Sequence, residues 1–131
     1  MAHSRNLPEL DPTTRTVLRA SGPVNVLGAL ILAPPLPFVR SLFGLPQGHE
    51  IYLWMLSLWV LAFGWAYWTI GTSGRAEPTF LAVATFGKAT FGLLLVAYAL
   101  TGALPGTAAL LGLPDLFLAA FFARWLLATR D

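Results

Sequence analysis

The run IYLWMLSLWVLAFGWAYWTI, residues 51–70, contains no charged side chain. Its length of about 20 residues is what roughly 30 Å of hydrocarbon requires of a helix. This stretch therefore predicts a membrane span, over residues 47–70 when Pro46 opens the helix and Glu50 falls in its early turns. Ser57, Gly64 and Gly71 recur every seventh residue within and just beyond it. Helical spacing of that kind puts small surfaces on one side, where a second helix can approach closely. Chance spacing in a glycine-rich chain would look the same.

Composition extends the reading to the whole molecule. The chain has 131 residues, 56% hydrophobic and only 11% charged, whereas a soluble domain carries about 25% charged residues. A single transmembrane domain, residues 1–131, is expected, with the lipid bilayer as its first partner. Tryptophans and tyrosines lie largely near the ends of apolar runs, where amphipathic rings meet lipid headgroups. Cysteine is absent, which excludes disulfides and thiolate chemistry. The net charge of +2 is small and scattered, and no nucleic-acid partner is expected. The first sixteen residues are polar and include Pro8, Glu9, Asp11 and Pro12, a pattern unlike a secretory signal.

Three further spans follow on either side. Residues 1–11 read as a polar, partly mobile lead, after which Asp11-Pro12 offers an N-cap and a first-turn proline for a helix over 12–33. Pro23 loosens that helix, and Pro34, Pro35 and Pro37 must end it. Phe38 to Gly44 reads as a short amphipathic surface piece with Arg40 on its wet side. Beyond the 71–77 connection, a third span covers 79–104 and is interrupted only by Lys88. Pro105-Gly106 turns the chain into a fourth, 107–129. Two readings of that fourth span remain open: one kinked helix from Thr107, or a helix opened by Pro114.

The predicted fold is all-α, a membrane-embedded up-down-up-down four-helix bundle. With four spans, Arg5, Arg15, Arg19, Arg75, Arg124 and Arg130 share one side, and Arg40 alone occupies the other. Arginine and lysine favour the cytoplasmic face, so both termini are expected to be cytoplasmic.

Polar residues inside such spans are the candidates for function. Lys88 lies near mid-span, where an unpaired charge costs at least about 2.5 kcal/mol, so it must face protein or water. It shares a helical stripe with Ala84, Thr85, Gly92 and Ala99. It is either a proton-handling or anion-binding group, or a lysine paired to hold helices together. Asp115 is its natural partner if the last helix starts at Thr107. If Pro114 opens that helix, Asp115 is instead a first-turn carboxylate near the boundary. Asn25, set between Gly22 and Gly28, either completes a Lys88-centred network or joins two helices. Asn25, Lys88, Asp115 and Thr85 are thus the expected polar interior and ligand-binding set. Trp65, Tyr67 and Trp68 read as belt residues.

Several chemistries lack their parts. His3 and His49 flank the spans, so neither a haem nor a metal site has its ligands, and no cofactor is expected. No phosphate-cradling loop or Ser-His-acid set is visible, and no catalytic residue is expected.

Asn25-Val26-Leu27-Gly28-Ala29, the proline-rich exit at 34–37, Tyr52 with Trp54, Gly64 with Tyr67, Phe86-Gly87-Lys88 and Pro114-Asp115-Leu116-Phe117 occur in that order. Together they resemble the small uncharacterised bacterial four-helix integral membrane proteins grouped loosely with the DoxX-like set. The resemblance implies a four-helix protein of the bacterial inner membrane and no particular activity.

The expected role is binding or accessory: holding an apolar small molecule or lipid with a polar head, or supporting a larger membrane complex. An oligomeric proton-coupled transporter or small channel is the alternative, since one four-helix bundle is too thin to enclose an aqueous path. An enzyme is the third and weakest class.

Overall fold

The computed structural model describes residues 6–130. His3 and Arg5, with the start of the expected polar lead, lie outside them. Five helices run in order: α1 Pro12–Leu32, α2 Pro37–Leu42, α3 Glu50–Ser73, α4 Pro78–Leu100 and α5 Gly106–Ala128. Among the described residues there is no strand, and the sole β feature is an isolated bridge between Glu9 and Arg75.

Local chemistry sets the ends. Asp11 caps α1, its side chain accepting from the Thr14 amide at 3.0 Å, and Pro12 takes the first turn, where no amide donor is needed. Glu77 caps α4 in the same way, accepting from the Phe80 amide at 2.8 Å ahead of Pro78. α3 opens at Glu50 rather than just after Pro46. The His49 side chain supplies its cap, accepting from the Ile51 amide at 3.2 Å, while residues 45–49 stay outside any helix. Its far end stops at Gly74, whose φ of +77° is a left-handed conformation that glycine adopts without penalty. α4 stops at Leu100, short of the expected residue 104, because Gly102 at φ +78° reverses the chain. α5 continues through Pro114 as one helix, which decides between the two readings of the last apolar run.

Three helices, α3, α4 and α5, with 24, 23 and 23 residues, are long and apolar enough to cross a membrane. α1, expected as a further span, falls outside that group. It is 21 residues long, but Arg15, Arg19 and Asn25 dilute its apolar character. The surface agrees with a membrane protein: Trp65, Phe86 and Leu100 are 72%, 73% and 83% exposed, while Asn25, Ser57 and Lys88 are buried. Soluble monomers rarely expose apolar surface on this scale.

The helices pack as two antiparallel pairs. In the first, the small residues of α3 meet α1 in descending order. Gly71 lies against Arg15 and Arg19, and Gly64 against Gly22 and Asn25, while Ser57 donates to the Ala29 carbonyl at 2.7 Å. A Cβ at Gly71 would sit 2.9 Å from the Arg19 backbone nitrogen, so the heptad spacing is a contact surface rather than chance. In the second pair, α4 and α5 approach at Gly92 and Gly112, where a Cβ added to either would come within 3 Å of the other's carbonyl oxygen.

The two pairs meet mainly at the end where the chain enters. Leu10, Leu18, Tyr67, Ala76, Leu81, Ala84, Phe122 and Trp125 form a buried cluster there. α3 and α4 touch through rings, Phe63 stacking on Phe80 at 5.6 Å, rather than through close backbones. The segment before α1 is pinned to this end. Leu10 donates to the Gly74 carbonyl at 2.9 Å, and the Ala76 amide to Pro8 at 3.2 Å. Arg15 reaches the Gly71 and Thr72 carbonyls, Arg75 pairs with Glu9, and Arg124 with Asp11.

At the opposite end, Arg40 does not face water as expected. It is 3% exposed, and its guanidinium donates to the Leu32 and Ala33 carbonyls at 3.3 and 2.6 Å and to Gln47 Oε1 at 3.4 Å. The tandem prolines remove amide donors beyond α1, and Arg40 satisfies the Leu32 carbonyl left over and adds a second donor to Ala33, which also accepts from the Leu36 amide at 3.1 Å. Its Nε has no partner among the described residues.

Candidate functional site

Halfway along α4 and α5, Lys88 Nζ lies 2.6 Å from Asp115 Oδ1. The same ammonium donates to Asn25 Oδ1 at 3.0 Å, and Asn25 Nδ2 donates onward to the Val60 carbonyl of α3 at 3.0 Å. One short network therefore touches all four long helices. The amide orientation follows from chemistry: an ammonium only donates, so it must meet the amide oxygen, and a carbonyl only accepts, so it must meet the nitrogen.

Each member is positioned by a feature of its own helix. Asp115 reaches Lys88 because α5 runs unbroken past Pro114, starting at Gly106. Asn25 reaches both Lys88 and Val60 because Gly64 has no side chain. A Cβ there would come within 2.8 Å of the Asn25 Cβ. Of the stripe expected around Lys88, Ala84 and Gly92 are buried with it and Thr85 and Ala99 are half-buried, while Leu81 and Leu95 on the same helix are buried too.

Thr85 does not join them. Its hydroxyl donates back to the Leu81 carbonyl at 2.7 Å, one turn earlier in α4. Tyr67 takes the place that sequence reasoning gave to Thr85. It is fully buried rather than a belt residue, and Lys88 Nζ stands 5.3 Å from the centre of its ring. A cation over an aromatic face is attracted by the ring's quadrupole. Trp65 and Trp68 are exposed, as a belt requires. The signal for Tyr67 was present in its spacing: it follows Gly64 by three residues and precedes Gly71 by four, placing it beside the glycine face.

The network lines a cavity of about 510 Å³ between the two helix pairs. That is within the range of small-molecule sites. Asn25, Tyr67, Lys88 and Asp115 supply its polar groups, and the rest of the wall is hydrocarbon, aromatic ring or glycine. Leu32, Leu45 and Leu56 extend the apolar wall toward the end of the molecule that carries α2. Leu27, Trp59, Val83 and Phe86 belong both to the wall and to the exposed surface, which makes the cavity open sideways.

Electrostatically the site balances itself, one cation against one anion. Lys88 is 7% exposed and Asp115 18%. Two of the three ammonium donors are used by Asn25 and Asp115, and Asp115 Oδ2 carries no hydrogen bond among the described residues. An ammonium donor and a carboxylate acceptor therefore remain beside the cavity. No group of three histidine or carboxylate side chains that could hold a metal ion occurs among the described residues.

Comparison with known proteins gives no match to any family model, curated protein or solved structure.

Proposed function

We propose that the chain is a small integral membrane protein that binds an apolar molecule by its polar head, alone or as the accessory subunit of a larger membrane complex. The observation that carries this reading is the sideways-open cavity of about 510 Å³ with Lys88, Asp115 and Asn25 at its polar end. A charge pair in the middle of apolar helices is costly to desolvate and marks a functional site by default. Here it is joined to a space that a hydrocarbon chain can enter directly from lipid.

In this reading α1 is the fourth span of an up-down-up-down bundle, since it packs along α3 from Arg15 to Ala29. The end bearing Arg15, Arg75 and Arg124 faces the cytoplasm of a bacterial inner membrane, as the bias in basic residues favours. The resemblance to the DoxX-like set accords with this architecture and leaves the ligand open.

The test is mass spectrometry of protein released intact from its native membrane into lipid nanodiscs, compared with Gly87→Leu. Gly87 lines the cavity, and an added Cβ there meets nothing within 4 Å, so a larger side chain can be introduced at the cavity's edge. A small apolar molecule retained by the native chain and lost from the variant supports binding. Empty protein in both, with no retained partner subunit, contradicts the proposal.

The ion pair itself favours a second reading, an oligomeric proton-coupled carrier or small channel, because intramembrane acid-base pairs line proton paths. A strictly monomeric mass in detergent removes that reading.

A further inference from the structure

The hydrogen-bonding capacity left over in the network specifies the head of the ligand, and this step rests on the cavity's being a binding site. We infer that the occupant is a hydrocarbon chain ending in an uncharged hydroxyl group, seated between Lys88 and Asp115. Lys88 Nζ uses two donors, on Asp115 Oδ1 at 2.6 Å and Asn25 Oδ1 at 3.0 Å, and its third has no hydrogen-bond acceptor among the described residues, only the Tyr67 ring with its centre 5.3 Å away. Asp115 Oδ2 retains its acceptor sites, and the side chain keeps 18% exposure where it borders the cavity. One free donor beside one free acceptor is the complement of a hydroxyl, which both donates and accepts.

Charged heads fit less well. A carboxylate or phosphate only accepts, so it would face Asp115 with like charge, and it would compete for an ammonium that is already neutralised. An alkylammonium only donates, and it would face Lys88 with like charge. Either would bring a net charge into a wall that is otherwise apolar, where no further counterion stands. A bare alkyl end would leave the donor and acceptor unmatched. An uncharged head that both donates and accepts satisfies both groups and leaves the site neutral, and a hydroxyl is the smallest such group. A long-chain alcohol and a neutral glyceride share that chemistry.

Trp59 lies in the cavity wall but also meets the surrounding lipid, so filling is read as the quenching of the native chain in excess of that in the same protein carrying Gly87→Leu. The exposed Trp54, Trp65 and Trp68 are replaced by phenylalanine, and the buried Trp125 is kept as a protected reference. The protein is placed in nanodiscs, and quenching by ω-bromododecanol, ω-bromododecanoyl glycerol, ω-bromododecanoate, ω-bromododecylammonium and bromododecane is compared at neutral pH. No member of the polar network is altered, so the comparison does not depend on a variant that fails to fold.

A hydroxyl-headed probe that quenches at about tenfold lower mole fraction than the acid, the ammonium and the bare alkane is the expected result. Bromododecanol leading the glyceride assigns a free alcohol, and the reverse order assigns a lipid headgroup. Equal quenching by all probes, or a lead for the acid, the ammonium or the alkane, overturns the hydroxyl assignment while leaving the cavity a binding site. Quenching by every probe no greater than in the same protein carrying Gly87→Leu removes the binding site itself, and the assignment with it.

Discussion

Lys88 Nζ stands 2.6 Å from Asp115 Oδ1, a contact between adjacent antiparallel helices that the Asn25 amide extends across to α1 and α3. Removing one partner of a buried pair costs more than removing both, because the survivor is left charged and unmatched. Lys88→Met alone should lower stability by about 3 kcal/mol, and Lys88→Met with Asp115→Leu by less than half as much. Thermal unfolding in detergent across the double-mutant cycle measures both. A melting temperature unchanged in Lys88→Met would show that the pair does not hold the helices together.

The α1/α3 contact depends on the absence of side chains. A methyl at Gly64 would come within 2.8 Å of the Asn25 Cβ and 3.1 Å of the Gly22 carbonyl, both on a neighbouring helix. Gly64→Ala should therefore cost about 1–3 kcal/mol through overpacking. It should also displace Asn25 from Lys88. Gly87→Ala, in open space and mid-helix, should be neutral or slightly stabilising. Equal melting temperatures for the two variants would contradict the close approach.

Arg40 closes α1 in place of the amides that Pro34 and Pro35 lack. Arg40→Ala strands the Leu32 carbonyl and leaves Ala33 with the Leu36 amide alone, and should cost about 1–3 kcal/mol. Hydrogen exchange resolved by peptide should rise in the last turn of α1 and in α2 while the other helix ends stay protected. Uniform exchange across the molecule would count against a local cap.

Asp11 links the start of α1 to α5. Partial burial pushes its carboxyl up, but hydrogen bonds from Thr14 and the charge of Arg124 outweigh this and hold it below its ordinary value of 3.8. Because the folded value is the lower one, the stabilisation is complete above that ordinary value and is lost as pH falls beneath it. Asp11→Ala should cost about 1 kcal/mol at neutral pH and progressively less under acid. Melting temperatures of the two proteins measured from neutral to strongly acidic pH should converge, and a constant gap would refute the linkage.

The sequence carried much of this, and the places where it stopped have physical causes. Ile51–Ile70 reads as a helix because nothing in it is charged, and the seven-residue spacing of Ser57, Gly64 and Gly71 exposes the face that α1 covers. Lys88 and Asp115 were legible as odd members of apolar runs, but their pairing depended on whether α5 passes through Pro114, which sequence alone leaves open. Thr85 shares the stripe of Lys88, yet a helical threonine can satisfy its hydroxyl on its own preceding turn, and it does. Arg40 was misplaced because amphipathic spacing describes a helix facing water, while the unmet carbonyls of a neighbouring helix end are visible only in three dimensions. Tyr67 was taken for a belt residue because its position near a helix end resembles that of Trp65 and Trp68. Its burial follows from Phe122, which packs against it from α5 at 5.5 Å.

Photolabelling tests the binding cavity most directly. A diazirine placed midway along a dodecanol chain, activated in native membranes and mapped by peptide mass spectrometry, should mark Leu32, Val60 and Phe91, which line the cavity and are not among the exposed residues. The marks should disappear in Gly87→Leu, with labelling of the outward-facing Leu100 and Leu127 unchanged. Adducts confined to outward-facing residues, or wall labelling that persists in the filled variant, would contradict a ligand site at Lys88 and Asp115.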